Sequence, residues 1–287
     1  MTQKNEQTCS CQREYNQLKV FEEYFVSQFE LLPKLIEIIS KNGKPERFDN
    51  LGILLVSINS NAESIVRLNN NGFINEAYII ARSYFEKSVN FCYLNVCDED
   101  EYDNYLDWSH QKIIRALYTK KKAYKNMDQE VPLPDILSFA KECKGLLKFS
   151  GKKGGEKPNW TDASIYSRIK YIESKITDYR WRMYLASLNM IYEDASESIH
   201  GTLYGVTFHR AVFYGMKKSD EDKFKYMLGL GFTLYLLLGY LIDGICKIVS
   251  IQIPIDELIK KSRDNYNDTI QKFYNDPNNR WNDTNML

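Results

Sequence analysis

The stretch YMLGLGFTLYLLLGYLI, residues 226–242, decides how this chain folds, because it runs for 17 residues without a charge. That length is at the lower limit for a transmembrane helix. The stretch also carries three glycines and three tyrosines, and Asp243 follows it directly. A helix buried on all sides of a large bundle has the same pattern. No second segment of this kind occurs, so we predict a buried central helix. The alternative is a membrane-associated protein anchored through 226–242.

The rest of the chain has the apolar spacing of amphipathic helices. We expect Pro33 to kink or split the first helix, at about residues 13–42. Only 14 glycines and 7 prolines interrupt 287 residues, and no strand-like alternation is present. The predicted fold is all-α, a single multi-helix bundle of up-down helical hairpins with a long apolar central helix. Further helices are predicted at about 48–70, 74–97, 98–125, after Pro134, 162–177, 180–200, 202–215, 221–250 and from Pro254.

The chain ends differ in composition from the helical region. Residues 1–12 and 276–287 are polar and are predicted to be tails, the first of them flexible. Between them, residues 13–275 are predicted to form a single helical domain. The segment SGKKGGEKPNW near 150–160 has three glycines, three lysines and a proline, which is typical of a loop.

The overall charge argues against one class of partner. Lys and Arg together number 38, and so do Asp and Glu, so the net charge is zero. Nucleic-acid-binding proteins usually carry a basic excess, so strong nucleic-acid binding is not indicated. The first residues lack the apolar core of a signal peptide, which predicts a cytoplasmic protein with reduced thiols. Protein partners and the oligomeric state stay open.

The common catalytic and metal-binding motifs are absent. The sequence contains no GxxxxGK[ST], no HExxH and no GxSxG. Only Cys9 and Cys11 lie close together among the six cysteines, and a polar tail explains them without a metal. Cys92 and Cys246 lie in apolar runs and are predicted to be small core residues. We therefore predict neither a metal site nor a cofactor.

The segment ARSYFEKSVNFCYL, residues 81–94, contains the first candidate functional pair. Arg82 and Glu86 are four residues apart and so share one helix face. That face borders a broad apolar arc, which places the pair within reach of a neighbouring helix. An ordinary surface ion pair has the same spacing, and this structural interpretation stays open.

The segment YEDASESIHGT, residues 192–202, contains the second candidate group. Tyr192, Ser196 and His200 are spaced four and four, so they form one stripe on a helix. Gly201 follows directly and fits a helix C-terminal stop. A histidine in the last turn interacts favourably with the helix dipole when it is protonated, which explains His200 structurally. The functional alternative is that His200 acts as an acid, a base or a ligand.

Three segments together carry a resemblance to a known family. They are ARSYFEKSVNFCYL, the turn KPNWTDASI at 157–165, and YEDASESIHGT. In this order they resemble DUF5677, a domain-of-unknown-function family of bacterial helical proteins, over roughly residues 50–245. The resemblance implies a soluble, intracellular, all-helical protein. It also implies that Arg82, Glu86, Ser196 and His200 belong to one site, and it supplies no reaction.

A looser likeness is to the helical HEPN domains, which are common in bacterial toxins and phage defence. Their ribonuclease signature is an arginine followed, after four to six residues, by a histidine. No arginine stands at that distance before His110, His200 or His209. A ribonuclease of that type is therefore disfavoured, and the neutral net charge points the same way.

The leading hypothesis is a cytoplasmic bacterial helical bundle, in stress response or phage defence, with a polar site between helices. In its enzyme version, Glu86 orients or deprotonates His200, Ser196 takes part, and Arg82 and Tyr192 bind an anionic small molecule or nucleotide. The second hypothesis is a non-catalytic protein-interaction module. There, the same residues form a structural hydrogen-bond network that fixes helix register.

Overall fold

The computed structural model describes residues 12–42, 46–127, 159–176, 182–208 and 219–275. Throughout these ranges the regular structure is helical, and they contain no strand. The predicted all-α fold with a long apolar helix is therefore confirmed.

The chain divides into two compact units. The larger one joins the residues up to Val96 with those from Ile165 onward, and the smaller one runs from Cys97 to Ser164. The single domain over residues 13–275 stays a prediction. Several other predictions lie outside the described residues: both polar tails with Cys9 and Cys11, the helix after Pro134, most of the loop near 150–160, the end of the 202–215 helix, and His209.

The observed helices begin and end close to the predicted positions. In chain order they are α1 (Gln12–Phe29), α2 (Leu31–Lys41), α3 (Glu46–Asn70), α4 (Ile74–Val96), α5 (Glu99–Lys125), α6 (Ile165–Lys175), α7 (Arg182–Ser187), α8 (Glu193–Ile199), α9 (Leu203–Phe208), α10 (Asp220–Ser250) and α11 (Asp256–Asn275). Helix α5 lies in the smaller unit, and the others lie in the larger one.

The first predicted helix is split, as expected near Pro33. The break lies at Glu30, between α1 and α2. Pro33 therefore falls in the first turn of α2, where backbone N–H groups have no partner within the helix and a missing N–H costs little. Further along, Gly72 ends α3 with a φ of 79°, a conformation that glycine adopts without steric cost. Helices α3 and α4 then pack against each other as a hairpin.

Helix α10 forms the centre of the larger unit. It packs against α1, α4, α7 and α11. It is the one helix among the described residues that is long and apolar enough to cross a membrane, and 83% of its most apolar window is buried inside the protein. Asp243 and Lys247 lie in this buried part, with Lys247 Nζ 2.9 Å from Asp243 Oδ2. The Ser262 hydroxyl of α11 donates to Asp243 Oδ1 at 2.8 Å, so the buried carboxylate is neutralised and hydrogen-bonded.

Tyrosine hydroxyls also anchor neighbouring helices to α10. Tyr78 and Tyr84 of α4 donate to backbone carbonyls of α10 at 3.1 and 3.2 Å. Tyr184 of α7 donates to a third carbonyl at 3.3 Å. The three side chains are fully buried, and a buried phenol needs a hydrogen-bond partner. The second lone pairs of the helix carbonyls supply it without breaking the helix.

Two glycines of α10 allow α1 to approach closely. A Cβ atom at Gly239 would overlap the ring of Tyr24, which is only 2% exposed. A Cβ atom at Gly231 would lie 3.2 Å from the Leu18 side chain. Gly229 differs, because it is exposed and a Cβ atom there would have no neighbour within 4 Å. The glycines in the apolar stretch therefore have different structural roles.

We predict that Gly239→Ala lowers the free energy of unfolding by about 1–3 kcal/mol, because overpacking must displace Tyr24. Gly229→Ala is the matched control in the same helix. It is expected to raise stability by about 0.5–1 kcal/mol through helix propensity. Urea unfolding of both variants measures the difference. Equal effects for the two alanines would contradict the close approach of α1.

Candidate functional site

Helix α4 carries the first predicted residue group and packs against the chain segment 188–199, which carries Tyr192 and Ser196 of the second group. Arg82 and Glu86 lie on α4, with Arg82 Nε 3.3 Å from Glu86 Oε1. The side chains are 20% and 42% exposed, so the pair lies at the surface of the bundle.

Tyr192 joins this pair from the opposite helix. One Nη nitrogen of Arg82 donates to the Tyr192 hydroxyl at 3.4 Å, and the guanidinium carbon lies 4.6 Å from the centre of the tyrosine ring. The other side of the contact is apolar, because the Tyr192 and Phe85 ring centres are 5.8 Å apart. The structure therefore brings Arg82, Glu86 and Tyr192 together at one junction.

The helix that carries Tyr192 is not a regular α-helix. Sequence periodicity predicts a continuous helix over 180–200, whereas the structure has a π-helical segment at Leu188–Tyr192 between α7 and α8. A π turn holds more residues than an α turn and therefore changes the register of the residues that follow it. Such segments occur frequently at functional sites. Tyr192 is its last residue.

Ser196 and His200 lie further along the same helix. The Ser196 hydroxyl donates to the Tyr192 backbone carbonyl at 2.6 Å, a bond within the helix itself. His200 is the exposed residue that caps the C-terminus of α8. The structure records no side-chain bond between His200 and another described residue. The catalytic roles predicted for Glu86, Ser196 and His200 stay predictions.

The end of the YEDASESIHGT segment is a structural turn. Gly201 has a φ of 65°, its N–H donates to Ser198, and the N–H of Thr202 donates to Glu197. This hydrogen-bond pattern is the Schellman motif, which fits the predicted helix stop at Gly201. Thr202 then accepts from the N–H of Gly205 at 3.0 Å and so caps α9.

The turn also explains a glycine and a serine beyond the quoted motif. A Cβ atom at Gly205 would overlap the backbone of α8. The buried Ser198 hydroxyl donates to the Gly205 carbonyl at 3.0 Å, which ties α9 to α8. Much of this segment thus stabilises the local fold. The residues left for chemistry are the stripe of Tyr192, Ser196 and His200.

Asp194 belongs to the same segment, and spacing alone did not single it out. Its carboxylate accepts from the Tyr204 hydroxyl of α9 at 3.3 Å. Burial raises the pKa of Asp194, and the Tyr204 hydrogen bond opposes this effect. Burial also raises the pKa of Tyr226 in α10 to about 12, with a smaller contribution from the Asp194 charge. Tyr204 and Tyr226 come from α9 and α10, so their proximity to Asp194 follows from the tertiary structure and not from the sequence pattern.

A second missed feature extends the α4 stripe by one turn. Asn90 follows Glu86 by four residues, and its side-chain oxygen accepts from a guanidinium nitrogen of Arg168 in α6. The spacing of 82, 86 and 90 was visible in the sequence. The partner arginine was not, because α6 reaches α4 only through tertiary packing.

The Trp-containing turn is a packing element. Trp160 is 7% exposed and meets Tyr105 edge to face, with ring centres 5.3 Å apart in the smaller unit. The Thr161 hydroxyl accepts from the N–H of Ala163 at 3.0 Å and stabilises the turn. This segment therefore contributes a buried anchor.

Cysteine chemistry has little support in the described part of the chain. Burial raises the pKa values of the Cys92 and Cys246 thiols to about 12 each. Such thiols stay protonated at neutral pH and are poor nucleophiles. Within the described ranges, no three His, Cys, Asp or Glu side chains are grouped so that they could hold a metal ion.

We predict that Asp194→Asn raises the free energy of unfolding at pH 7. A raised folded-state pKa means that ionised Asp194 opposes folding above that pKa. The gain should shrink as the pH falls through the folded pKa and vanish below the ordinary aspartate value of about 3.9. Urea unfolding between about pH 3.5 and 7.5 measures it, with the exposed Asp264→Asn as control. A pH-independent gain would contradict the burial of this carboxylate.

The region that contains the candidate site matches one known protein family. The model of the family of unknown function DUF5677 matches residues 49–213, more than half of the 287-residue chain. No curated protein and no solved structure gives a match. The matched region contains both α4 and α8 but ends before α10, so it is shorter than the predicted resemblance. The chain belongs to the family of unknown function DUF5677.

Proposed function

We propose that the junction of α4 and α8 binds an anionic small molecule, such as a nucleotide, through Arg82. One observation carries the proposal: a partly exposed guanidinium is held between the Tyr192 ring and the Glu86 carboxylate. Among the described residues, its contacts use Nε and one Nη nitrogen. A guanidinium has five N–H donors in a planar fork, so donors remain for a phosphate or a carboxylate.

The neighbours of Arg82 fit this role. The aromatic ring fixes the plane of the guanidinium, which lowers the ordering cost of binding an anion. Glu86 is more exposed than Arg82 and holds it by one contact at 3.3 Å, so a divalent anion competes effectively for the same donors.

The anionic group is expected at Arg82 and not at His200. His200 caps a helix C-terminus, where the partial negative charge of the helix dipole repels anions. In the enzyme version of the proposal, exposed His200 exchanges a proton with a more distant part of the ligand, and Ser196 lies between them. The cytoplasmic, bacterial setting and the role in stress response or phage defence belong to this proposal. The net charge of zero favours a small ligand over nucleic acid.

The first test is calorimetric titration of the whole protein with ATP, inorganic pyrophosphate and inorganic phosphate. Arg82→Lys keeps the charge but loses the fork, and we expect about 10- to 100-fold weaker binding, from a charge-assisted bond of about 1.5–3 kcal/mol. Arg67→Lys, at an exposed arginine of α3, is the matched control and should bind as the wild type does. The proposal is wrong if none of the three anions binds.

Glu86→Gln separates anion binding from a structural network. In the proposed site, removal of the competing carboxylate should strengthen binding about fivefold, from about 1 kcal/mol of repulsion at a solvated distance of a few Å. If the residues only fix helix register, Glu86→Gln should lower the melting temperature and leave anion titrations unchanged. His200→Ala then tests the enzyme version. It should abolish any nucleotide turnover with unchanged affinity and stability.

A further inference from the structure

A second cleft lies away from the Arg82 junction. It has a volume of about 400 Å³ and is formed by α1, the turn between α3 and α4, and the first half of α10. That volume lies within the range of small-molecule sites, about 300–1,000 Å³. Its lining is largely apolar and includes Leu18, Ile74, Met227 and Leu228. None of the residues at the α4–α8 junction lines it.

A chain of hydrogen bonds runs along one edge of this cleft, through the lining residues Glu22 and Asn70. The Asn70 side-chain nitrogen donates to Glu22 Oε1 at 2.9 Å, and the Asn70 oxygen accepts from the Tyr235 hydroxyl at 3.0 Å. The Asn69 side-chain nitrogen faces the same hydroxyl without good hydrogen-bond geometry. The polar groups thus come from three helices and meet beside the apolar lining residues.

The Asn69 side chain has unused hydrogen-bonding capacity at both its oxygen and its nitrogen. Asn69 is only 7% exposed, and its Oδ1 accepts no hydrogen bond from a described residue. The second carboxylate oxygen of Glu22 also has no donor among the described side chains. The Tyr235 hydroxyl and one of the two N–H donors of the Asn70 amide are engaged. The cleft therefore has two oxygens without a donor among the described residues, the unpaired amide nitrogen of Asn69 and the negative charge of Glu22, and it is this charge that favours a cationic ligand.

We propose that this cleft binds a small organic amine, with an aromatic or alkyl body in the apolar part and a protonated amino group at Glu22 and Asn69. An ammonium group brings three donors and a positive charge, which matches both oxygens. Tyr15 and Phe224 line the cleft and are about half exposed, so their ring faces can contact the body or the cation.

The unused Asn69 acceptor is what distinguishes this site from a packing gap. A buried oxygen without a donor costs free energy, and native proteins contain few of them. Asn69 also packs tightly, because a Cβ atom at Gly231 would lie 3.0 Å from its amide. Lys19 lies at the cleft as well, but it is exposed, so salt and water screen its repulsion of a bound cation.

The test uses three probes with the same body and different head groups. They are 2-phenylethylamine, 2-phenylethanol and 3-phenylpropionate, titrated into the full chain and followed by ligand-observed NMR. We expect the amine to bind at least tenfold more tightly than the alcohol and the acid. Equal affinities, tighter binding of the acid, or no binding of the amine would overturn the proposal.

Two substitutions in α1 test whether the amine binds in this cleft. Glu22→Gln should weaken amine binding about tenfold, while Glu23→Gln, at the adjacent exposed glutamate of α1, should leave it unchanged. Equal losses in both variants would show nonspecific attraction and overturn the site.

Asn69→Leu keeps the shape of the side chain and removes the unused acceptor. It should abolish amine binding without lowering the melting temperature, since a buried orphan oxygen is lost. Unchanged amine affinity in this variant would remove Asn69 from the site. Because the readout is amine affinity, the outcome is independent of anion binding at Arg82.

Discussion

Burial of α10 from Gly231 to Val249 is the constraint on which the larger unit depends. A helix that is apolar all round has to be covered, and α1, α4, α7 and α11 cover this one. A close approach of α1 to α10 requires small residues at the contact, so Gly239 faces Tyr24 and Gly231 faces Leu18. Burial also requires partners for every polar group that is drawn inside. The first requirement accounts for Gly231 and Gly239, two of the three glycines of the apolar stretch.

The buried charges of α10 and the tyrosine hydroxyls packed against it have partners within the bundle. Asp243 and Lys247 lie one turn apart and neutralise each other, and the Ser262 hydroxyl donates a hydrogen bond to the Asp243 carboxylate. Phenols from α4 and α7 donate to carbonyls along the same helix. These bonds are directional, whereas apolar packing is not, so they help to fix the rotation and register of the neighbouring helices.

This arrangement leaves the other side of α4 available for function. One face of α4 carries the tyrosines that bind α10, and the stripe of Arg82, Glu86 and Asn90 meets α8 and α6 instead. The stripe is only partly covered, because α8 is a single short helix that ends at a Schellman turn. The bundle core and the candidate site therefore share one helix without sharing side chains.

The spacing of residues determined a large part of this description. Apolar periodicity located α3, α4, α6 and α10 closely, because each buries a stripe that local sequence defines. The same local logic predicted the stop at Gly201 and the helix face shared by Arg82 and Glu86. Helix caps and i,i+4 pairs depend on residues within one turn, so the sequence contains them in full.

Only the tertiary structure decided which of these residues meet. The contact of Arg168 with Asn90 and the position of Tyr226 near Asp194 depend on helices distant in sequence, and the π segment that ends at Tyr192 interrupts the predicted helical periodicity. The family resemblance placed His200 and Glu86 in one site, and the described structure has no hydrogen bond between their side chains. Periodicity gives the face that a residue occupies, whereas the crossing and register of two helices follow from packing across the whole core.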